Sequence, residues 1–144
     1  MAGVYSLSLR TTVTTIAAAS WCAISPSTNR ATFYEYSWIN GAATASVVGV
    51  ARSANTPTLT SGVAFLGEDS ADVTALTQAS STFGTAPTVP PQFNRRWSIA
   101  GTIGVGIVQT WPRGFVLAAA GAGLVTWNIT ANSAVVDVNA TIVE

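Results

Sequence analysis

The sequence predicts an all-β protein: a single-domain antiparallel β-sandwich over residues 1–144, jelly-roll-like, with about seven to nine short strands. Three observations carry this. Thr, Val, Ser, Ala and aromatic residues dominate; Gly and Pro interrupt the chain at short intervals; and no stretch of helical length keeps an apolar stripe of period 3.6. At 144 residues the chain can bury one core without a disulfide or metal, in keeping with its single cysteine, Cys22.

The first strand is marked by Tyr5, Leu7, Leu9 and Val13, which alternate with Ser6, Ser8, Arg10, Thr12 and Thr14, so that one face looks inward. Ile16-Ala17-Ala18-Ala19 is too short for a membrane span and has no basic residues in front of it, so neither a signal peptide nor a membrane segment is expected. Asn40-Gly41 predicts a type I′ hairpin. Its register pairs Trp38 with Ala43, Tyr36 with Ala45 and Tyr34 with Val47, stacking three aromatics in a column. Both faces of that hairpin are apolar, so it needs two covers, one of which could be another subunit.

Residues Ala54 to Gln92, rich in Gly and Pro, read as a long connection with one strand around Asp72 to Ser80. Arg95 to Thr110 reads as extended chain, Trp111-Pro112-Arg113-Gly114 as a turn, Phe115 to Leu117 as a short strand and Gly121-Ala122-Gly123 as another turn. A two-residue loop at Asn132-Ser133 closes a final hairpin, with Ala131 opposite Ala134, Ile129 opposite Val136, Trp127 opposite Val138 and Val125 opposite Ala140. That face is wholly apolar, which makes Trp127 a core residue. The other face, with Thr126 opposite Asn139 and Asn128 opposite Asp137, is mostly polar.

Charge narrows the function. Hydrophobic residues make up 49% of the chain and charged residues only 8%, against about 25% in an average domain. There is no His and no Lys; six Arg balance six acids to a net charge of zero. Without His there is no Ser-His-Asp or Cys-His relay and no ordinary zinc site. Six scattered Arg form no basic stripe for phosphates, so no nucleic-acid partner is expected, and Arg95-Arg96 is the only doublet. A neutral chain with so little surface charge disperses poorly as a free monomer, which implies that partners cover much of its surface.

Few residues suggest chemistry. Glu68, Asp69 and Asp72 could ligate Ca²⁺, but their spacing is not that of an EF-hand and a solvated loop explains them better. Glu35 and Asp137 are the strand-borne candidates for a glycosidase carboxylate pair. Trp111 beside Arg113 is the best candidate for stacking on a glycan. Cys22 beside Trp21 reads as a small buried hydrophobe, not a nucleophile. No catalytic residue, metal or cofactor is expected, and the chain is read as a non-enzyme.

Several stretches resemble one family. These are Met1-Ala2-Gly3-Val4-Tyr5-Ser6-Leu7-Ser8-Leu9-Arg10, Asn29-Arg30 leading into a strand, Ala54-Asn55-Thr56-Pro57, Thr85-Ala86-Pro87-Thr88-Val89-Pro90, Arg95-Arg96, Trp111-Pro112-Arg113-Gly114 and Gly123-Leu124-Val125-Thr126-Trp127-Asn128. In order and texture, over nearly the whole chain, they resemble the small β-sandwich virion proteins of tailed bacteriophages, including those that decorate or cement capsids. The resemblance implies a structural role on the outer capsid surface, synthesis in the host cytoplasm, the major capsid protein as partner and self-association as a homotrimer. It brings no catalytic residues. Arg10, Tyr34, Tyr36, Trp38, Arg95 and Arg96 are then the residues expected to touch the capsid or a neighbouring subunit. The alternative is a carbohydrate- or receptor-binding module on the tail or capsid, with Trp111 and Arg113 at the glycan. The absence of Lys departs from what docking on an acidic capsid surface suggests and favours apolar, hydrogen-bonded contact.

Overall fold

Alternation in β-branched and aromatic segments is resolved by pairing each strand so that its apolar side meets another sheet. The computed structural model describes residues 2–12, 19–26, 28–119, 123–130 and 132–144. Among them it has thirteen strands: β1 (Val4–Arg10), β2 (Ala19–Ser25), β3 (Ala31–Asn40), β4 (Ser46–Arg52), β5 (Thr58–Leu59), β6 (Val63–Ala64), β7 (Leu66–Gly67), β8 (Gln78–Ser80), β9 (Phe83–Thr85), β10 (Arg95–Ile99), β11 (Gly106–Leu117), β12 (Leu124–Asn128) and β13 (Val136–Val143). They form a five-stranded sheet, β11-β3-β13-β1-β7, a six-stranded sheet, β10-β4-β12-β2-β8-β6, and a two-stranded sheet, β5-β9. Every pairing is antiparallel. The count exceeds the expected seven to nine because β5 to β9 are fragments of two or three residues inside the long connection. The eight longer strands change sheet at every step along the chain except from β4 to β10, which pair within the six-stranded sheet.

That alternation overturns both predicted hairpins. β3 lies in the five-stranded sheet and β4 in the six-stranded one, so Trp38 pairs with Val138 and Ile107, not with Ala43. Gly41 does not take a positive φ; the Asn40 side chain makes the corner instead. Its amide donates to the carbonyls of Thr44 (3.2 Å) and Ala100 (2.8 Å), and its Oδ1 accepts from Ala42 N–H (3.2 Å). Asn128 and Asn132 do the same at the other corner. Asn128 Oδ1 accepts from Thr130 N–H, Asn132 Oδ1 accepts from Ala134 N–H, and Asn132 Nδ2 donates to the Ala45 carbonyl, so the chain arches between sheets. Trp127 accordingly pairs with Gly49, not Val138, and Ala131 of the predicted register lies outside the described residues.

The main core fills the space between the two large sheets, with Tyr5, Leu7, Trp21, Phe33, Tyr36, Trp38, Val138 and Ile142 buried in it. On β3 a bulge breaks the aromatic column. Thr141 faces Glu35 and Ile142 faces Phe33, so Tyr34 has no direct opposite, turns outward, and leaves its place in the core to Phe33. β12 also presents its faces opposite to expectation. Leu124 and Thr126 look into the main core, whereas Val125 and Trp127 join Ala23 and Ala51 in a second cluster on the outer face of the six-stranded sheet.

The second cover of that sheet comes from the chain itself. Leu59, Phe83 and Phe93, from the excursion between β4 and β10, pack on Trp127, with the Phe93 ring edge-on at 5.6 Å. Gly49 gives them room, since a Cβ there would sit 2.6 Å from Ile129 Cδ1 and 2.7 Å from Phe93 Cδ1. Only Gln78–Ser80 of the strand expected at Asp72 to Ser80 is formed. Before it, Leu76 and Thr77 N–H groups donate to the Glu144 carboxylate, a bond that replaces a strand partner. Val13, most of Ile16-Ala17-Ala18-Ala19 and Gly121-Ala122 lie outside the described residues.

Candidate functional site

Among the described residues one sheet is covered on both faces and the outer face of the five-stranded sheet is left bare; its register fixes three transverse rows. Gly106, Ile39, Asp137 and Arg10 form the first; Val108, Ser37, Asn139 and Ser8 the second; Thr110, Glu35, Thr141, Ser6 and Leu66 the third. At strand dimensions these rows span about 13 Å along the strands and about 19 Å across them. Ser, Thr and Asn supply hydroxyl and amide groups in the second and third rows, Ile39, Val108 and Leu66 are apolar, and Arg10, Asp137 and Glu35 are the charged residues. Asn139 Nδ2 donates to Ser37 Oγ at 3.1 Å. Arg10 donates to both oxygens of Asp137, from Nε and Nη2, each at 2.7 Å, and this hydrogen bonding holds the Asp137 carboxyl below its usual range. At one margin a groove of about 420 Å³ has Ser6, Ser8, Asn139 and Thr141 as its floor and Val63, Ala64 and Leu66 as its apolar wall.

The residues singled out by sequence are dispersed. Arg10 lies on the bare face, and Tyr34 is outward on β3. Tyr36 and Trp38 are fully buried, in an aromatic chain from Phe33 through Tyr36 (6.1 Å) and Trp38 (4.4 Å) to Trp97 (4.8 Å). Arg95 and Arg96 are exposed on β10, the border of the six-stranded sheet. Trp111 and Arg113 belong to β11, where the expected turn is instead a bulge within one continuous strand: Thr110 faces Glu35, Phe115 faces Phe33, and four residues stand out between them. Gly114 makes that possible with φ +73° at a point where a Cβ would lie 2.4 Å from Thr32 Cγ2. Trp111 is half-buried against Phe115 at 5.4 Å, the Arg52 guanidinium lies 4.4 Å from the Phe115 centroid, and Arg113 is exposed.

The candidate chemistries find no geometry. Glu35 and Asp137 lie on the third and first rows, about 13 Å apart along the strands, beyond the roughly 5–9.5 Å that a glycosidase pair spans. Asp69 Oδ1 accepts from Ala71 N–H, a turn-making role, and no group of three His, Cys, Asp or Glu among the described residues is arranged to hold a metal. Burial pushes the Cys22 thiol up to about 12, so no thiolate is available at neutral pH.

Sequence reasoning placed Asn139 on a polar face but did not single it out, and it missed the buried Ser37 as its partner and Trp97 and Thr126 as core partners. For Asn139 the signal was present in the strict alternation of Val136–Val143. The others depend on strand neighbours that no local pattern specifies. Comparison with protein-family models, with curated proteins and with solved structures returns no match to this chain.

Proposed function

We propose that this chain is a structural protein of a bacteriophage virion that decorates the capsid, docking the bare face of its five-stranded sheet on the major capsid protein and stabilising the shell. The observation that carries this is the unequal covering of the two sheets. The chain spends its long excursion on one outer face and leaves the other as a weakly charged platform of Ser, Thr and Asn. The sheet orders β11-β3-β13-β1 and β10-β4-β12-β2 are the winding of a jelly roll, an architecture used by capsid and lectin domains. Fold alone does not assign function, and the near-absence of charge adds that the contact works by hydrogen bonds and apolar burial.

Size decides the mode of action. The platform of one copy projects about 250 Å², well under the roughly 800 Å² per partner of a stable standard interface. Retention therefore requires copies acting together, each bound unit opposing separation of the capsid subunits by its binding free energy.

The test is the copy number per virion with the heat and osmotic resistance of particles lacking the protein. Hundreds of copies, and particles that lose their contents more readily without them, are expected. Unchanged resistance refutes capsid stabilisation. A handful of copies, with glycan-array binding abolished by Trp111→Ala, would instead establish the carbohydrate-binding reading, favoured by the exposed bulge that carries Trp111 and Arg113.

A further inference from the structure

The two flanks of the sandwich are finished differently. On one, the chain passes from β6, the border of the six-stranded sheet, to β7, the border of the five-stranded one, and buries Phe65 as it crosses. On the other, β10 and β11 end their sheets with no described strand beyond either. There Trp97, Ile107, Trp111 and Phe115 pack on the main core yet are only partly buried. A core closed on one flank and open on the other leaves apolar surface that burial would stabilise.

The open border has a defined pairing stretch. Val105 C=O accepts from Asn40 N–H at 2.8 Å and Gly104 N–H donates to Asn40 C=O at 2.9 Å, so the carbonyl of Val105 points toward β3 while its N–H closes a turn onto Thr102 C=O at 3.2 Å. By alternation Ile107 and Gln109 also bond to β3, while Gly106, Val108 and Thr110 turn their N–H and C=O groups away from it. The Thr110 carbonyl is held by Gln109 Nε2, and past it Pro112 and the bulge end any regular pairing. Val108 is 61% exposed, with Ile103 and Val105 exposed beside it. From Ala100 to Pro112 there is no charged residue. Edge strands are ordinarily protected by charge, and this stretch has none.

We propose that a second copy of this chain covers this edge, β11 pairing antiparallel with the partner's β11 about a two-fold axis at Val108. Val108 then lies opposite the partner's Val108, and Gly106 opposite the partner's Thr110, whose carbonyl passes from the Gln109 amide to the Gly106 N–H. At the axis Val108 lies against its own copy, where a charge would meet its like, so an uncharged residue at the centre of the pairing stretch suits a second copy. The contact joins two five-stranded sheets into one of ten strands and brings the two open flanks together. It makes dimers where the resemblance to decoration proteins implies trimers.

The experiment is the mass of the purified protein by light scattering. A mass about twice the 14.8 kDa of the chain is expected. Val108→Lys, at an exposed position, should return it to the monomer mass with its circular dichroism unchanged. Val108→Cys should cross-link between copies under mild oxidation, because opposed residues in such a pair lie about 5.5 Å apart between Cα atoms, within disulfide reach. Cys22 is buried and does not compete, and Leu66→Cys, 75% exposed on the opposite border, reports random collision. A monomeric or trimeric wild type, a dimer untouched by Val108→Lys, or cross-linking no faster at position 108 than at 66 overturns the proposal. Copy number in the virion tests the capsid reading separately, so either can fail alone.

Discussion

Replacing Thr126 by Val tests the polar contact that locks the two sheets together. Thr126 Oγ1 lies 2.8 Å from the Tyr36 hydroxyl and accepts from Trp38 Nε1 at 3.0 Å, joining β12 of one sheet to β3 of the other inside a core from which water is excluded. Valine keeps the shape and removes the oxygen, leaving the indole N–H and the phenol both short of a partner. A buried unsatisfied group costs about 1–3 kcal/mol. The two groups share the one lost oxygen, so the pair together should cost about 2–4 kcal/mol. For a chain of this length that lowers Tm by about 6–12 °C, at about 3 °C per kcal/mol. Urea unfolding followed by tryptophan fluorescence, with calorimetry for Tm, measures it. In a double-mutant cycle, Tyr36→Phe should cost less in the Thr126→Val background than in the wild type, since the shared bond is lost only once. A loss under about 1 kcal/mol would mean the oxygen contributes no more than an ordinary exposed hydrogen bond, and the reasoning would fail.

Cys22 and Asp137 give two further outcomes. Cys22, wholly buried with its thiol pushed up to about 12, should resist a thiol reagent at pH 8 in the native protein and react fully in urea, so its labelling rate reports global opening; rapid native labelling would contradict the burial. Asp137, held below its ordinary value by Arg10, contributes stability that is fully present above the unfolded carboxylate value of about 3.9 and is lost as pH falls through the lower folded value. Asp137→Asn should therefore unfold more readily than wild type at pH 7 and low salt, by a small margin that salt erodes and that disappears at acid pH; a difference that grows on acidification would reverse the sign of this linkage.

How much of this was legible beforehand can be argued from single strands. β1 was readable because one side faces water, so Ser6, Ser8 and Arg10 are forced to alternate with Tyr5 and Leu7. β13 was readable for the same reason. The corners were not. Asn40-Gly41 carries a strong local hairpin signal, but Asn40 spends its side chain on Thr44 and Ala100, the latter sixty residues away in sequence, and only the folded chain brings that acceptor near. Trp127 was correctly placed in a core and assigned to the wrong one, because an apolar face states that it must be covered and not by what. Tyr34 was misplaced for a subtler reason: a bulge shifts the face by one residue, and Phe33 serves the core as well as Tyr34 would, so alternation in the sequence could not reveal the shift. The row of Ser8, Asn139 and Ser37 joins two residues from the first third of the chain to one near its far end, and its existence depends on strand order alone.

Under the proposed capsid docking, the unequal covering also constrains where the contact is made. The two-fold of an antiparallel strand pair stands perpendicular to the sheet, so joining β11 to its copy leaves both bare faces on the same side. The doubled platform would approach about 500 Å², closer to the roughly 800 Å² of a standard partner surface. Sheets twist by about 20–25° between neighbouring strands, however, and over ten strands the outer margins turn far from the centre. A broad capsid surface could then meet only the central strands, β11 and β3 with their copies. That moves the centre of contact away from the Arg10–Asp137 pair, which sequence reasoning favoured through Arg10, and toward Val108 and Thr110, with Glu35 the one charged residue of β3 beside them. A chain with no lysine and few arginines is consistent with that geometry, since the residues nearest the axis must tolerate both their own copies and a partner without like-charge repulsion.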